Sequence, residues 1–447
     1  MKHRTVDIIS LGCSKNLVDS ERLMKMLRDA GCEVRFDHDT PDGKSDIAVI
    51  NTCGFIGDAK EESIDTIMTW VGAKDRGMVQ RIYVMGCLSE RYKQELPPEL
   101  PEVDGWYGKF DWPGIVSAIS KAAPEAASYD RIITTPSHHA YLKIAEGCNR
   151  FCAFCAIPLI TGRYKSRSME EIVEEAAILA GRGVSEFNVI AQDLSAYGTD
   201  IYGRQALAEL TERLAQLDGV RRIRLHYAYP SDFPMDVLDV MARYPNVCNY
   251  IDIALQHIAN PVLKNMRRHI DAKATRELLA EMRRRVPGLH IRTTLMVGFP
   301  GEGDAEFDEL MDFVREQRFE RMGAFAYCEE DDTYAAKTYA DSIPDDVKQS
   351  RLDRLMALQE SISLEIQQAK EGSTLEVVID SYDEDYFIGR TEWDSPEVDP
   401  VVLIPRTEGA SLRPGQYVHV TIDEALPFEL IGQIANSPEN HTANIQK

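Results

Sequence analysis

No run of about 18 uninterrupted apolar residues occurs in the 447-residue chain, which excludes an ordinary membrane-spanning helix. No secretory leader is expected either: Met1-Lys-His-Arg-Thr-Val-Asp leads into a short apolar stretch ending at Gly12-Cys13, without a small-residue cleavage site. The expectation is a cytoplasmic protein whose thiols stay reduced. Positive charge is scarce, with 50 Lys and Arg against 73 Asp and Glu and a formal net charge of −23. That balance weighs against a broad phosphate-binding surface, though not against a local basic patch, and suits a basic protein partner better. An even cysteine count is also lacking. Nine cysteines in a reducing compartment are no disulfide framework, and clustered thiols there point to metal or catalysis. With 44% hydrophobic and 28% charged residues, the chain has material for several globular cores. Its length corresponds to two or three domains of roughly 150 residues.

Three units follow from the patterning. In the first, strand candidates Val6–Leu11, Asp46–Asn51 and Arg81–Met85 alternate with helical stretches Leu17–Ala30 and Glu61–Val71, which implies a parallel sheet. Prolines at 124 and 136 mark a connection over about Ala122–Ser137. Six further strand candidates follow: Leu142–Ala145, Glu186–Ala191, Arg222–Tyr229, Tyr250–Leu255, Ile291–Val297 and Met322–Tyr327. Helical stretches such as Ser168–Arg182, Ala206–Leu217, Lys273–Arg285 and Ala305–Gln317 separate them, so a partial (β/α)6 barrel is expected, with its chemistry at the carboxyl ends of the strands. Beyond a charged helix near Asp345–Lys370, short β-branched runs separated by Gly, Pro and Asp predict a small all-β, OB-like barrel of five strands. The fold class is therefore α/β with a carboxyl-terminal all-β module. The polar segment 437–447 is expected to be a disordered tail.

Cys148, Cys152 and Cys155 follow directly after the first barrel strand, three thiols within one short loop. Soft sulfur ligands at this spacing select an iron–sulfur cluster or zinc. A structural zinc site wants four ligands, and no fourth cysteine or histidine lies close by in sequence, although a distant one remains open. A four-iron cluster held by three cysteines keeps one iron free for a substrate. Phe154 precedes the last cysteine, and the whole stretch resembles the signature of the radical S-adenosylmethionine (SAM) superfamily, whose members share a six-stranded partial barrel. The resemblance implies a [4Fe-4S] cluster that binds SAM and cleaves it to a radical.

Cys13, Cys53 and Cys87 each lie just beyond one of the first three strands, where the edge of a parallel sheet brings distant residues together. Gly12, Gly54 and Gly86 flank them and would let backbone approach a bulky group. Packing as three small buried hydrophobes is the alternative, and the equivalence of the three positions favours a second cluster. The segments Ser10-Leu-Gly-Cys-Ser-Lys-Asn-Leu-Val-Asp-Ser-Glu21, Asn51-Thr-Cys-Gly-Phe-Ile56 and Met85-Gly-Cys-Leu-Ser-Glu-Arg91 are similar to those of methylthiotransferases. The resemblance spans nearly the whole chain. It implies a cluster domain over residues 4–122, a radical SAM core over 136–366 and a TRAM domain over 369–436. It also implies two [4Fe-4S] clusters, one for radical formation and one for sulfur delivery, with a second SAM as methyl donor and an external electron donor.

Two subgroups of that family differ in substrate. One modifies an adenosine of tRNA; the other modifies the β-carbon of an aspartate in protein S12 of the small ribosomal subunit. Lys15-Asn16 and Asp19-Ser-Glu21 resemble the second, since the tRNA group typically carries Gln-Met-Asn after its first cysteine. Charge points the same way: residues 370–447 hold fifteen acidic and five basic side chains, which repels a phosphate backbone and attracts a basic ribosomal protein.

Other positions carry less. Gln192 and Asp193 end the second barrel strand, where related enzymes contact SAM, although Asp193 also suits a simple turn cap. Gly298 opens Gly298-Phe-Pro-Gly-Glu302 at the end of the fifth strand, a cofactor contact or only a turn. Arg163, Lys165 and Arg167 could meet a carboxylate of substrate or SAM, or form a solvated basic stretch. His257 is a candidate for supporting the site from behind or for an ordinary core hydrogen bond. Cys32, Cys248 and Cys328 are expected to be packed residues.

Overall fold

The computed structural model describes residues 4–38, 40–120, 130–406 and 411–435. The tail from Ser437 and the first half of the Ala122–Ser137 connection, residues 122–129, lie outside them.

Strands β1 (Thr5–Ser10), β2 (Glu33–Phe36), β3 (Ile47–Thr52), β4 (Arg81–Gly86) and β5 (Gly105–Trp106) form a parallel sheet of order β2-β1-β3-β4-β5. Helices cover both faces, which is why β1, β3 and β4 are nearly continuous apolar runs. Val6 and Ile8 pack on Leu23, Met24 and Leu27 of helix α1 (Ser14–Asp29). On the opposite face Ile9, Ala48 and Ile50 pack on Ile67, Trp70 and Val71 of α2 (Gly57–Asp75). The edge strands β2 and β5 are short and only part-buried, so they left no hydrophobic period in the sequence.

β6 (His139–Lys143) opens the second sheet, and the clasp β7 (Ala145–Glu146) and β8 (Lys165–Ser166) follows it. The sheet is completed by β9 (Glu186–Ile190), β10 (Arg222–Ala228), β11 (Val247–Gln256), β12 (His290–Val297) and β13 (Arg321–Ala326). Its order is β13-β12-β11-β10-β9-β6, all parallel, and the ring stays open between β6 and β13. Alternate residues face opposite ways. Ala140, Leu142, Phe187, Val189, Ile223 and Leu225 join the apolar layer under the helices. Tyr141, Lys143, Asn188, Arg224 and His226 have the other parity and line the lumen. β6 begins three residues before the expected Leu142, because its lumen residues His139 and Tyr141 interrupt the apolar pattern.

The long helix Asp345–Gln368 leads to β14 (Thr374–Tyr382), β15 (Tyr386–Arg390), β16 (Val401–Pro405), β17 (Tyr417–Ala425) and β18 (Glu429–Ile434), which close into a barrel of order β14-β15-β16-β18-β17. The β15–β16 loop seals the amino end of the second sheet. Asp394 accepts from Arg321 at 2.5 Å, Asp399 accepts from Tyr250 at 2.9 Å, and Arg390 bonds Glu186 at 2.9 Å.

The first unit spans the gap in the ring. On the β6 side, Arg131 joins Glu21 of α1 to Glu175 of the barrel, and Lys143 pairs with Asp19. On the β13 side, Arg91 and Lys60 meet Glu330 at 2.8 and 3.0 Å. Among the described residues no helix is long and apolar enough to cross a membrane.

Candidate metal centres

The β7–β8 clasp holds the Cys148–Cys155 loop at the carboxyl end of β6. Ala153 anchors the loop, its N–H donating to Met266 at 3.0 Å and its carbonyl accepting from Ala335 at 2.7 Å. Arg268 Nη1 donates to Cys152 Sγ at 3.2 Å, and Tyr229 Oη lies 3.5 Å from the same sulfur. The Arg150 N–H reaches Cys148 Sγ at 3.5 Å. Burial pushes the Cys148 thiol up to about 12 and raises Cys155 as well; the neighbouring sulfurs of the triad add to both shifts. Cys148 and Cys155, whose bare thiols resist ionisation, meet Cys152 in a donor set that a cationic cluster relieves, because a coordinated thiol is deprotonated outright. The residues fit a [4Fe-4S] group.

Cys13, Cys53 and Cys87 converge at the carboxyl edge of the first sheet. Cys13 caps α1, Cys53 follows β3, and Cys87 begins the short helix α3 (Cys87–Arg91). Burial pushes the Cys87 thiol to about 12, with Lys109 opposing and the sulfurs of Cys13 and Cys53 reinforcing. At Cys13 burial also raises the value, but the ammonium groups of Lys15 and Lys109 outweigh it and leave the thiol lowered. A Cβ on Gly12 would sit 3.0 Å from Cys53 Sγ, so this glycine makes room for the triad. Gly54 and Gly86 act differently from the expectation. A Cβ on Gly54 would meet Leu88 N at 2.7 Å and one on Gly86 would meet Thr52 N at 2.7 Å. Both glycines therefore let neighbouring backbone close up, and do not make space for a cluster.

Asn16 ties the edge together. Its Nδ2 donates to the Thr52 carbonyl at 3.0 Å and the Leu11 carbonyl at 3.1 Å, while its Oδ1 accepts from Lys109 Nζ at 3.1 Å. Between the triads lies a buried charge cluster that sequence reasoning missed. Lys109 Nζ is 3.2 Å from Asp19 and 3.9 Å from Cys87 Sγ, and Lys143 Nζ is 2.5 Å from Glu146. Burial raises the Glu146 carboxyl, but Lys143 and Lys109 hold it below the usual carboxylate range. Cys87 itself packs on Ala156 and Ile160, just past Cys155, so the two cysteine loops are in contact.

Gln192 donates to Glu146 Oε2 at 2.7 Å, and its own Oε1 is buried without a partner among the described residues. Asp193 caps the turn at Ser195 (2.9 Å) and also accepts from Arg150 Nε at 2.6 Å. The Gly298 N–H donates to Glu302 Oε1 at 2.9 Å; Glu302 in turn takes Arg351 at 2.7 Å and His257 Nε2 at 3.1 Å, so His257 supports this loop from the core. Arg167 is not free for a substrate: it donates to the Lys143 carbonyl and pairs with Glu175 at 2.7 Å, both structural contacts. Cys32 and Cys248 are packed as expected, whereas Cys328 is exposed, because it follows β13 in the loop at the open end.

Comparison with known proteins agrees with this geometry. The Radical SAM superfamily matches residues 142–314, the Uncharacterized protein family UPF0004 residues 5–108 and the TRAM domain residues 372–435. The fold is similar to that of the radical S-adenosylmethionine methyltransferase TsrM from Kitasatospora setae, with a TM-score of 0.56 at 14% identity over 75% of this chain and 74% of that one. The ribosomal protein uS12 methylthiotransferase RimO of Bacteroides fragilis is 54% identical over 434 residues, covering 97% of this chain and all of that protein. The protein of the same name from Porphyromonas gingivalis is 53% identical over 98% of this chain and all of its own length. With cysteine triads at the ends of two sheets and relatives that match end to end, the chain belongs to the ribosomal protein uS12 methylthiotransferase family of radical SAM enzymes.

Proposed function

We propose that the chain inserts sulfur and a methyl group at the β-carbon of an aspartate of ribosomal protein uS12, with Cys148, Cys152 and Cys155 holding one [4Fe-4S] cluster and Cys13, Cys53 and Cys87 the other. Together with SAM, these groups supply a carbon radical able to take hydrogen from an unactivated carbon, and the sulfur that replaces it. The observation that carries the reading is the packing of Cys87 against the segment just past Cys155, which brings the two cysteine loops into contact.

The chain's own residues then have distinct tasks. Each triad offers three thiolates, so one iron of a four-iron cluster is left for an exogenous ligand. Arg268 and Tyr229 orient Cys152, and the Lys109–Asp19–Glu146–Lys143 cluster keeps the two loops in register. Gln192, Asp193 and Gly298 lie at the carboxyl ends of β9 and β12, where SAM would bind; Gln192 offers an unpartnered Oε1 for that purpose. The acidic carboxyl-terminal unit suits a basic partner, and the substrate places the reaction with ribosomes in the cytoplasm. Electrons come from an external donor. The working division is a cluster domain over 4–122, a radical core over 136–366 and a TRAM domain over 369–436.

The test is an anaerobic competition. Reconstituted protein, reductant and SAM meet uS12 and unmodified tRNA together, and each is analysed by mass spectrometry. A methylthio adduct on the uS12 aspartate is expected; an adduct on tRNA alone would overturn the assignment.

A further inference from the structure

Lys15 is the one lysine of the cysteine edge without an acid. Lys109 and Lys143 are buried against Asp19 and Glu146, but Lys15, half-buried in the first turn of α1, pairs with no carboxylate among the described residues. Its Nζ sits instead 3.4 Å from the centroid of the Tyr227 ring. α1 belongs to the first unit and Tyr227 to β10, so this side chain reaches across the cleft between the two cysteine-bearing units.

Tyr227 is itself unusual. It has φ +67, a left-handed conformation rarely taken by a bulky aromatic and costing about 1–3 kcal/mol, which persists only where the surroundings enforce it. The pairing of β10 with β11 shifts register between Leu225 and Ala228, and this bulge re-aims the side chain. Tyr227 remains 36% exposed, so it is not fully enclosed by its neighbours. An aromatic face steadies an ammonium without neutralising it. The result is a positioned, partly desolvated cation at the open end of the barrel, near the Cys13 sulfur but with no carboxylate partner among the described residues.

Resting on the function proposed above, we infer that Lys15, held by Tyr227, binds the side-chain carboxylate of the substrate aspartate. The aspartate β-carbon is bonded to that carboxylate, so fixing the carboxylate fixes the carbon to be modified. An adenine offers no anion at the equivalent place, which makes this lysine a specificity determinant. The carboxylate of SAM has the same chemistry, and the experiment separates the two sources.

The full-length, cluster-loaded protein and its Lys15→Met and Lys15→Arg variants are titrated with uS12 carrying aspartate or asparagine at the modified position. KM for SAM and iron content are measured in parallel. The wild type is expected to bind the aspartate form about tenfold or more tightly than the asparagine form, the size of a charge-assisted hydrogen bond. Lys15→Met should bring that ratio near one by weakening the aspartate form alone, and Lys15→Arg should restore most of it. A purely structural lysine would weaken both forms equally and leave the ratio intact, which overturns the inference. A raised KM for SAM with an unchanged ratio would assign the lysine to SAM and overturn it as well. Absence of methylthio product from the wild type with uS12 marks the failure of the underlying function, and the inference falls with it.

Discussion

Arg268 Nη1 stands 3.2 Å from Cys152 Sγ, and the same guanidinium lies 4.1 Å over the ring of Tyr229, whose hydroxyl also faces that sulfur. A buried cation hydrogen-bonded to a ligand thiolate stabilises the more negative, reduced form of whatever the thiolate holds. Replacing it by an apolar side chain removes a charge-assisted bond worth about 1.5–3 kcal/mol. For a one-electron couple about 1.4 kcal/mol corresponds to about 59 mV. Arg268→Met is expected to lower the potential of the first cluster by tens of millivolts or more and to slow deoxyadenosine formation. An EPR-monitored redox titration reads the potential; an unmoved midpoint would show that the bond only packs the loop.

Removing single ligands separates the two triads. Cys152→Ala should abolish deoxyadenosine formation. Cys53→Ala should keep part of it, stop sulfur insertion, and drop the iron content from about eight to about four per chain. Methylthio product from Cys53→Ala would remove the delivery role from that triad.

The joint between the first unit and the barrel is sensitive to acid. Burial pushes the Glu175 carboxyl up, but Arg131, Arg167 and Arg22 more than offset it and hold it at about 2. A carboxyl whose pKa is lower in the folded state contributes stability that is complete above its unfolded value, near 4.3, and is lost as pH falls toward 2. Docking of the first unit is therefore expected to loosen across that window, seen as increased protease cleavage near Arg131 before the barrel itself melts. Arg131→Met should produce the same loosening at neutral pH at a cost of about 3–5 kcal/mol, because Glu21 stays buried without its cation, although Glu175 keeps Arg167 and Arg22.

Much of this architecture was legible in the sequence because its signals are local. Strand–helix alternation marked both parallel sheets, and the placement of Cys13, Cys53 and Cys87 just past strands required only the geometry of a parallel sheet. Edge strands such as Glu33–Phe36 were invisible, since a short, half-exposed strand carries no hydrophobic period. Lys109 and Glu146 were missed for a different reason. Each is an unremarkable charge in sequence, and only the fold brings them together between the cysteine loops. Arg167 looked available because three basic residues at alternate positions resemble a solvated or anion-binding stretch; its partner Glu175 lies eight residues on, about two helical turns, and faces inward. Tyr227 gave no signal at all, because a bulge reverses the parity that strand patterning relies on.

The second triad depends on a backbone conformation that can be tested without touching a sulfur. Gly86 has φ +102, and a Cβ there would sit 2.7 Å from Thr52 N, one residue before Cys53. Gly86→Ala thus adds a steric collision to the cost, about 1–3 kcal/mol, of a backbone conformation (φ +102, ψ −159) essentially confined to glycine. Gly77 is the control for a positive φ without collision: its φ is +74, but no atom lies within 4 Å of where its Cβ would be. Gly77→Ala should cost only the conformational penalty and leave iron loading intact. Gly86→Ala should push β3 and β4 apart, misalign Cys53 with Cys87, and lose the iron of the second cluster while the Cys148–Cys155 loop keeps its own. Thermal melts paired with iron and sulfide analysis of the two variants read both effects. Equal iron in the two proteins would mean that the second triad tolerates displacement of the strands beneath it.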